Sequence, residues 1–548
     1  MRVVRIQSLF TLLALLLAVP VLGVGSSWLT GGEGSLDVLR HLFHTVMGEQ
    51  ARTSALLALG VALGAAVLGG LTAAAIALLE FPGRAWLSWA LLLPLAMPAY
   101  VLAYVATDTL QFSGPVQTWW RAWQGEAAPR LPDVRSLWGA VLLMVLCLYP
   151  YVYLLTRAAL ANQGVRLLEA ARLLGAGWRR QWLGVALPVA RPALMAGVAL
   201  VLMETLADYG VGAYFGLNTF TTGIYRAWLS MDDRQAAAQL ASLLLLVVAA
   251  LMALERRAQG RLRLSSNRAG ATQAASARAA LSPWAGVGVA LLCSLPVWLG
   301  FVLPVLRLLQ LMWAEHVHGD FGLPWQAFAQ WAWHSLSLAA GSAALAVALA
   351  LGLAHAARWH ESWHTRLASR AIGLGYAVPG AVMAVGLLVP VGALQAWWPE
   401  QALGPAWRAW SPSAVVTGTV VGLVYAYLAR FSSVALQSVQ AGYAQISPSL
   451  DESARLLGRS PAAIWWQVHR PLLTRPALVA ALLVFVDVMK ELPATLVLRP
   501  FNTDTLAVVA YQLARDERLG EAALPSLAIV LVGLIPVIGL SSRVNAAR

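Results

Sequence analysis

Twelve apolar runs, near 8–29, 54–80, 86–108, 137–160, 192–214, 236–254, 284–311, 334–357, 371–395, 413–435, 476–498 and 524–542, decide what this chain can become. About 20 residues of α-helix cross the hydrocarbon layer of a bilayer. Lipid offers no partners to backbone N–H and C=O groups, so such runs must close their hydrogen bonds internally as helices. With 59% hydrophobic and 11% charged residues and a mean hydropathy of +0.68, one soluble core is excluded. The expected fold class is an all-α polytopic membrane protein of about twelve transmembrane helices, six plus six. Met1-Arg-Val-Val-Arg-Ile ahead of Leu9 to Leu22 has the pattern of a secretory signal. Eleven further spans behind it make an uncleaved signal anchor the expectation.

The net charge of +13 comes from 38 basic and 25 acidic residues, and Lys490 is the sole lysine. Arginines gather in the loops on the side that would hold both termini, whereas acidic residues gather on the opposite side. That asymmetry is what both termini on the cytoplasmic side of a membrane would produce. It accounts for the charge through topology and contact with anionic lipid, without nucleic acid. Cys147 and Cys293 lie inside apolar runs, which excludes a disulfide scaffold or a cysteine zinc ribbon. Residues 256–283, basic and then rich in Ala, Ser, Gly and Gln, read as a cytoplasmic linker between halves 1–255 and 284–548.

The halves repeat one another. Glu169-Ala-Ala-Arg-Leu-Leu-Gly175 returns 283 residues later as Glu452-Ser-Ala-Arg-Leu-Leu-Gly458. Pro188 matches Pro471 at the same displacement, and Arg191-Pro-Ala-Leu194 matches Arg475-Pro-Ala-Leu478 after one insertion. The repeats are parallel, as in a duplicated transporter. Each copy lies between the fourth and fifth spans of its half, in loops at about 161–191 and 436–475. Ser449-x-x-Glu452 reads as a capping box opening the second copy's helix. Gly175 and Gly458 read as its left-handed end, and Ser460-Pro461 as the N-cap and first residue of a short second helix.

This loop resembles the EAA loop of binding-protein-dependent ABC importer permeases. The resemblance implies two parallel six-span repeats of the type I permease fold, with the short second helix docking into a groove of an ATPase. The implied coupling residues are Glu169, Ala170, Ala171, Gly175 and Trp178 in the first copy. In the second they are Glu452, Ser453, Ala454, Gly458, Ile464 and Trp465. Trp178, Arg179 and Trp182, and Ile464, Trp465 and Gln467, would form the gripped faces. The implied partners are two copies of an ABC ATPase subunit and a periplasmic substrate-binding protein. A P-loop needs a Gly-Lys-Ser/Thr sequence, and Lys490 is followed by Glu491, so this chain carries no ATP site of that pattern and no catalytic residues or cofactor are expected.

Charges inside the spans are expensive and should face protein or an aqueous path. Glu204 and Asp208 would share one helical face in span five. In span eleven Asp487 can pair with Lys490, and Glu491 falls one turn beyond Asp487. These five are candidates for the translocation path, with structural pairing as the alternative. Glu204-Thr-Leu-Ala-Asp-Tyr-Gly210, Thr219-Phe-Thr-Thr-Gly-Ile-Tyr-Arg-Ala-Trp228, Met489-Lys-Glu-Leu-Pro-Ala-Thr495 and Leu498-Arg-Pro-Phe-Asn-Thr-Asp-Thr-Leu506 look like the fused permeases of ferric-iron importers. That resemblance implies ferric iron as substrate, with thiamine, polyamine, sulfate and phosphonate importers as alternatives in the same class.

His360-Glu361-Ser362-Trp363-His364 spells the H-E-x-x-H signature of a zinc protease. It falls in a short connection between spans, without a convincing distant carboxylate ligand, and the first half has no counterpart. A connector is the expected role and no metal site is expected. An ion-driven transporter would also permit duplicated halves and buried carboxylates, but gives twin EAA loops nothing to do.

Overall fold

In a computed structural model of the chain, the described residues are 2–30, 40–41, 43–125, 129–161, 165–263, 279–319, 322–359, 362–399 and 410–546. Eleven of the described helices are long and apolar enough to cross a membrane, or twelve when one bent pair counts as a single span. The chain is an all-α polytopic protein.

Two spans expected to run unbroken are interrupted at an X-Pro step. In the first half a 3₁₀ turn at Leu93–Ala96 ends at Met97, which is extended at ψ 115°, before Pro98 and the helix Ala99–Leu110. In the second half a 3₁₀ turn at Gly375–Ala377 ends at Val378, at ψ 119°, before Pro379 and the helix Gly380–Trp397. Proline's Cδ clashes with a helical conformation in the residue before it, so both helices must stop there. The first-half pair is bent by 91°.

The chain forms two compact units. Unit 1 comprises Met1–Leu39, Ile224–Leu245 and Trp325–Val508; unit 2 comprises Arg40–Gly223, Leu246–Pro324 and Val509–Arg548. These units are not the two sequence halves, because each takes helices from both.

Unit 2 is built on the helices Gly48–Leu78, Leu137–Ala159 and Leu187–Ala207, with Leu303–His318 packed on Leu519–Ala546. Within lipid, helices gain from close approach across small residues. Gly197 supplies it: a Cβ there would stand 2.7 Å from the Cα of Val152. Buried tyrosines pin the bent segment to this bundle. Tyr149 donates to the carbonyl of Leu91 at 2.9 Å, and Tyr153 to that of Ser88 at 2.7 Å. Cys147 and Cys293 are both buried and free.

Unit 1 repeats the three-helix plan with Trp325–Trp359, Val420–Ala444 and Arg470–Lys490. The N-terminal helix Arg2–Thr30, from the first sequence half, packs here on Trp363–Leu374 and Gly380–Trp397. The expected linker is partly structured. Helix Arg234–Arg263 runs into it, and Ala279–Ala280 pairs in parallel with Leu79–Glu80 inside unit 2.

Candidate coupling loops and the charged break

Both repeated loops start with a helix that stops at the glycine. Helix Val165–Leu173 gives way to Gly175 at φ 77°, and helix Pro448–Leu456 to Gly458 at φ 75°. The closing hydrogen bonds match: Gly175 N to Arg172 O and Ala176 N to Ala171 O, each 2.9 Å, and Gly458 N to Arg455 O at 2.9 Å with Arg459 N to Ala454 O at 3.1 Å. This paired pattern with a left-handed residue is the Schellman motif, and glycine enters it without the Cβ clash. The second helix begins earlier than the expected capping box. Ser447, not Ser449, is its N-cap, with Pro448 in the first position.

The helix after each glycine is short only in name. Trp178–Gln181 and Pro461–Ile464 run through π turns, Trp182–Ala186 and Trp465–His469, straight into the span helices Leu187–Ala207 and Arg470–Lys490. Pro188 and Pro471 explain the π turns, because a proline has no N–H for the carbonyl four residues back and its ring needs room there. Ser460 caps the second of these helices as expected, accepting from Ala463 N at 3.3 Å.

Exposure corrects the expected docking faces. Ile464 is buried, and Trp465 is half-buried against His355 with ring centroids 4.7 Å apart. Gln467 and Trp466 are exposed, and the side chain of Trp178 lies outside the described residues. Glu169, Ala170, Glu452 and Ser453 are exposed, while Ala171 and Ala454 are half-buried. The most exposed apolar groups of the loops sit one turn further on, just before the glycines. Leu173 and Leu174 are 90% and 87% exposed, and Leu456 and Leu457 are 89% and 80%.

Two of the carboxylates of the fifth and eleventh spans, Asp208 and Glu491, lie just past helix ends, not along one helical face. Helix Leu187–Ala207 stops before Asp208, whose Oδ1 accepts from Val211 N at 2.9 Å and so caps Gly210–Tyr214. Helix Arg470–Lys490 stops before Glu491, whose two oxygens accept from Ala494 N and Thr495 N, each at 2.9 Å, capping Pro493–Leu498. Asp208 and Glu491 are therefore equivalent, at the same 283-residue displacement as the loops. Glu491 also pairs with Arg430, Nη1 to Oε1 at 3.1 Å. Glu204, Asp487 and Lys490 remain inside their helices, each half-buried.

Residues 65–263 match the family described as the binding-protein-dependent transport system inner membrane component. The chain carries the permease domain of that family. The Fe(3+)-transport system permease protein FbpB 2 of Haemophilus influenzae is 25% identical to this permease over 499 residues, 90% of each chain. The molybdenum transport system permease protein ModB of Escherichia coli is 31% identical over 138 residues, 25% of this chain and 58% of that one. Permeases named for 2-aminoethylphosphonate and sulfate transport are further relatives. The matched stretch spans the first repeated loop and the first charged break, so both features of the permease belong to the family domain.

One residue of the permease's second loop escaped the sequence reading. Asp451, directly before Glu452, is turned inward and 8% exposed. Its Oδ2 accepts from Arg358 Nε at 2.8 Å and its Oδ1 from His469 Nε2 at 2.7 Å. Burial pushes this carboxyl's pKa up, but those two hydrogen bonds and the positive charge behind them outweigh it and hold it below the usual carboxylate range. The signal was present in Ser447-Pro-Ser-Leu-Asp451, since an acid in a helix's first turn offsets the helix dipole; its partners are distant in sequence. The H-E-x-x-H residues His360 and Glu361 lie outside the described residues. Ser362 instead caps Trp363–Leu374 in a capping box with Thr365, and His364 Nδ1 lies 3.2 Å from Thr11 Oγ1. Among the described residues no three His, Cys, Asp or Glu side chains could hold a metal.

Proposed function

We propose that this permease passes ferric iron from a periplasmic binding protein to the cytoplasm, driven by two copies of a separate ATPase subunit bound at its two loops. The likeness to the Fe(3+) permease over 90% of both chains carries the substrate reading. The two identically terminated loops, each ending in an exposed Leu-Leu pair, carry the coupling reading. In this reading both termini and both loops face the cytoplasm of a bacterial inner membrane, and the breaks at Asp208 and Glu491 lie toward the periplasmic ends of spans five and eleven.

The mechanism is mechanical. ATP-driven closure of the ATPase pair displaces the gripped loops. Because each loop's second helix is continuous with its span, displacement passes along the backbone to the charged break. Glu204, Asp487 and Lys490 would line the path. Asp208 and Glu491 would serve it by fixing the geometry of the break. Acidic groups suit a cation, and a site whose exposure differs between access states is what alternating access requires.

The test is reconstitution. Purified permease should retain an ATPase subunit and, in proteoliposomes, take up labelled ferric iron only with ATP and the binding protein present. Retention of the ATPase with uptake of molybdate, sulfate or a phosphonate, and none of iron, would transfer the chain to the oxyanion relatives. Cysteines placed singly along 200–210 and 485–495 in a Cys147→Ser, Cys293→Ser background should change reagent access between resting and ATP-trapped complexes. No change in either stretch would remove these residues from the path.

A further inference from the structure

The two loops are seated on different chemistry. In unit 2 the ground beneath the first loop is an apolar cluster that includes Ala74, Ala77, Leu160 and Ala186, with Trp182 packed against it. Helices Gly48–Leu78 and Trp325–Trp359 end 281 residues apart, and the loops repeat at 283. The corresponding residues of unit 1 are therefore His355, Arg358, Tyr443 and His469, with Trp465 in place of Trp182. Each of these four apolar positions has a polar replacement, while Leu78 and Ala190 of the same cluster correspond to Trp359 and Leu473.

Those replacements form one connected network under the second loop. Tyr443 Oη lies 3.2 Å from His355 Nδ1 and 3.5 Å from His469 Nδ1. His469 is wholly buried and reaches Asp451, which Arg358 also holds while donating to the carbonyl of Ile446 at 3.0 Å. The network joins the ends of three span helices to the loop helix through Asp451. Residue 168, at the same place in the first loop, is a leucine.

We propose that Asp451 is a positioning residue: with Arg358 and His469 it clamps the second loop to the spans as one rigid body, whereas the first loop rests on an apolar seat that lets it slide. The first loop's polar tie to its span-continuous helix, from Arg172 Nε to Gln181 Oε1 at 3.2 Å, is an exposed hydrogen bond. Directional ion pairs fix one geometry, and apolar contacts tolerate small shifts in register. The two loops then transmit unequal motion to their spans. This inference rests on the coupling reading above.

The first half also supplies the control. Buried ion pairs can often be exchanged for well-packed apolar residues with no loss of stability. The variant His355→Ala, Arg358→Ala, Tyr443→Leu, Asp451→Leu, His469→Ala copies the apolar seat into unit 1. Spin labels at Ser453 and Gln467, and at their counterparts Ala170 and Gly184, report each loop against its span in the permease–ATPase complex. The wild-type 453–467 distance should be the same in resting and ATP-trapped states, and the 170–184 distance should differ. In the variant, with an unchanged melting temperature, the 453–467 distance should become state-dependent. Transport per ATP should fall about 2- to 30-fold, the span of coupling effects seen for residues outside a binding site. Asp451→Glu should restore the wild-type distances. If the apolar variant does not fold, Asp451→Asn is read in the same way. Two loop pairs that behave alike in the wild type, or a folded variant with wild-type distances and coupling, would overturn the clamp. A permease that binds no ATPase would instead refute the coupling reading, and the labels in the permease alone would still report whether Asp451→Asn loosens the second loop.

Discussion

Arg430 reaches Glu491 across the second half's charged break, Nη1 to Oε1 at 3.1 Å, with the carboxylate side chain only 1% exposed. Glu491 thus neutralises a guanidinium and caps a helix at once. Glu491→Ala should destabilise the folded permease by about 3–5 kcal/mol, because it strands a buried charge. Arg430→Met with Glu491→Gln, which removes the charge and keeps a capping oxygen, should recover most of that loss. Thermal unfolding in detergent measures both, and equal damage by the single and double variants would refute the pairing.

Leu456 and Leu457 stand almost fully in solvent, so Leu456→Ala with Leu457→Ala should shift stability by no more than about 0.5 kcal/mol. Burying a leucine is worth about 1.5–3 kcal/mol. Loss of the pair from an ATPase interface should therefore weaken subunit binding more than about tenfold. Glu169→Ala with Glu452→Ala should leave the chain inserted and uncouple it. Subunit retention on a column and uptake decide both, and normal uptake by the well-expressed glutamate pair would end the coupling role of Glu169 and Glu452.

Gly458→Ala should cost about 1–2 kcal/mol locally, the strain of a side chain at positive φ. Hydrogen exchange should quicken across 448–460 and remain unchanged in span Val420–Ala444. The same holds for Gly175. Unaltered exchange in the loop would contradict the Schellman closure.

Acid should release Asp451. Its folded pKa is depressed, so its contribution to stability is present above the ordinary carboxylate pKa and fades as pH falls through the lower folded value. Wild type should therefore lose stability relative to Asp451→Asn on acidification below the ordinary carboxylate range. Parallel melting curves of the two proteins across that window would show that Asp451 is not held by its partners.

Glu361→Gln should leave transport unchanged, although a zinc protease could not spare its base. His364→Ala should cost about 0.5–1.5 kcal/mol for the hydrogen bond to Thr11. Stoichiometric zinc lost with His360→Ala would reverse this reading.

The spans, the repeat and the glycine ends were legible because each is written in local periodicity or backbone chemistry. The breaks at Pro98 and Pro379 were equally local, but an apolar run hides them from a search for length alone. Asp208 and Glu491 were misplaced onto helices because spacing counts residues and does not show where a helix stops. Asp451 could not be recognised as a clamp, because its partner Arg358 sits on helix Trp325–Trp359, 93 residues upstream, and the burial of Ile464 is likewise set by tertiary packing.

The N-terminal helix finds its partners late. Thr11 and His364 are 353 residues apart, and a ribosome adding about 5–20 residues per second needs roughly 20–70 s to make the second after the first. For that interval the opening helix must wait in lipid, its backbone satisfied but its docking face unmatched. The permease is therefore committed to assembling from helices already inserted, and unit 1 cannot close until synthesis has reached Val508. A nascent chain halted at the linker would hold a stranded first helix and an unfinished unit 2, a natural substrate for membrane quality control.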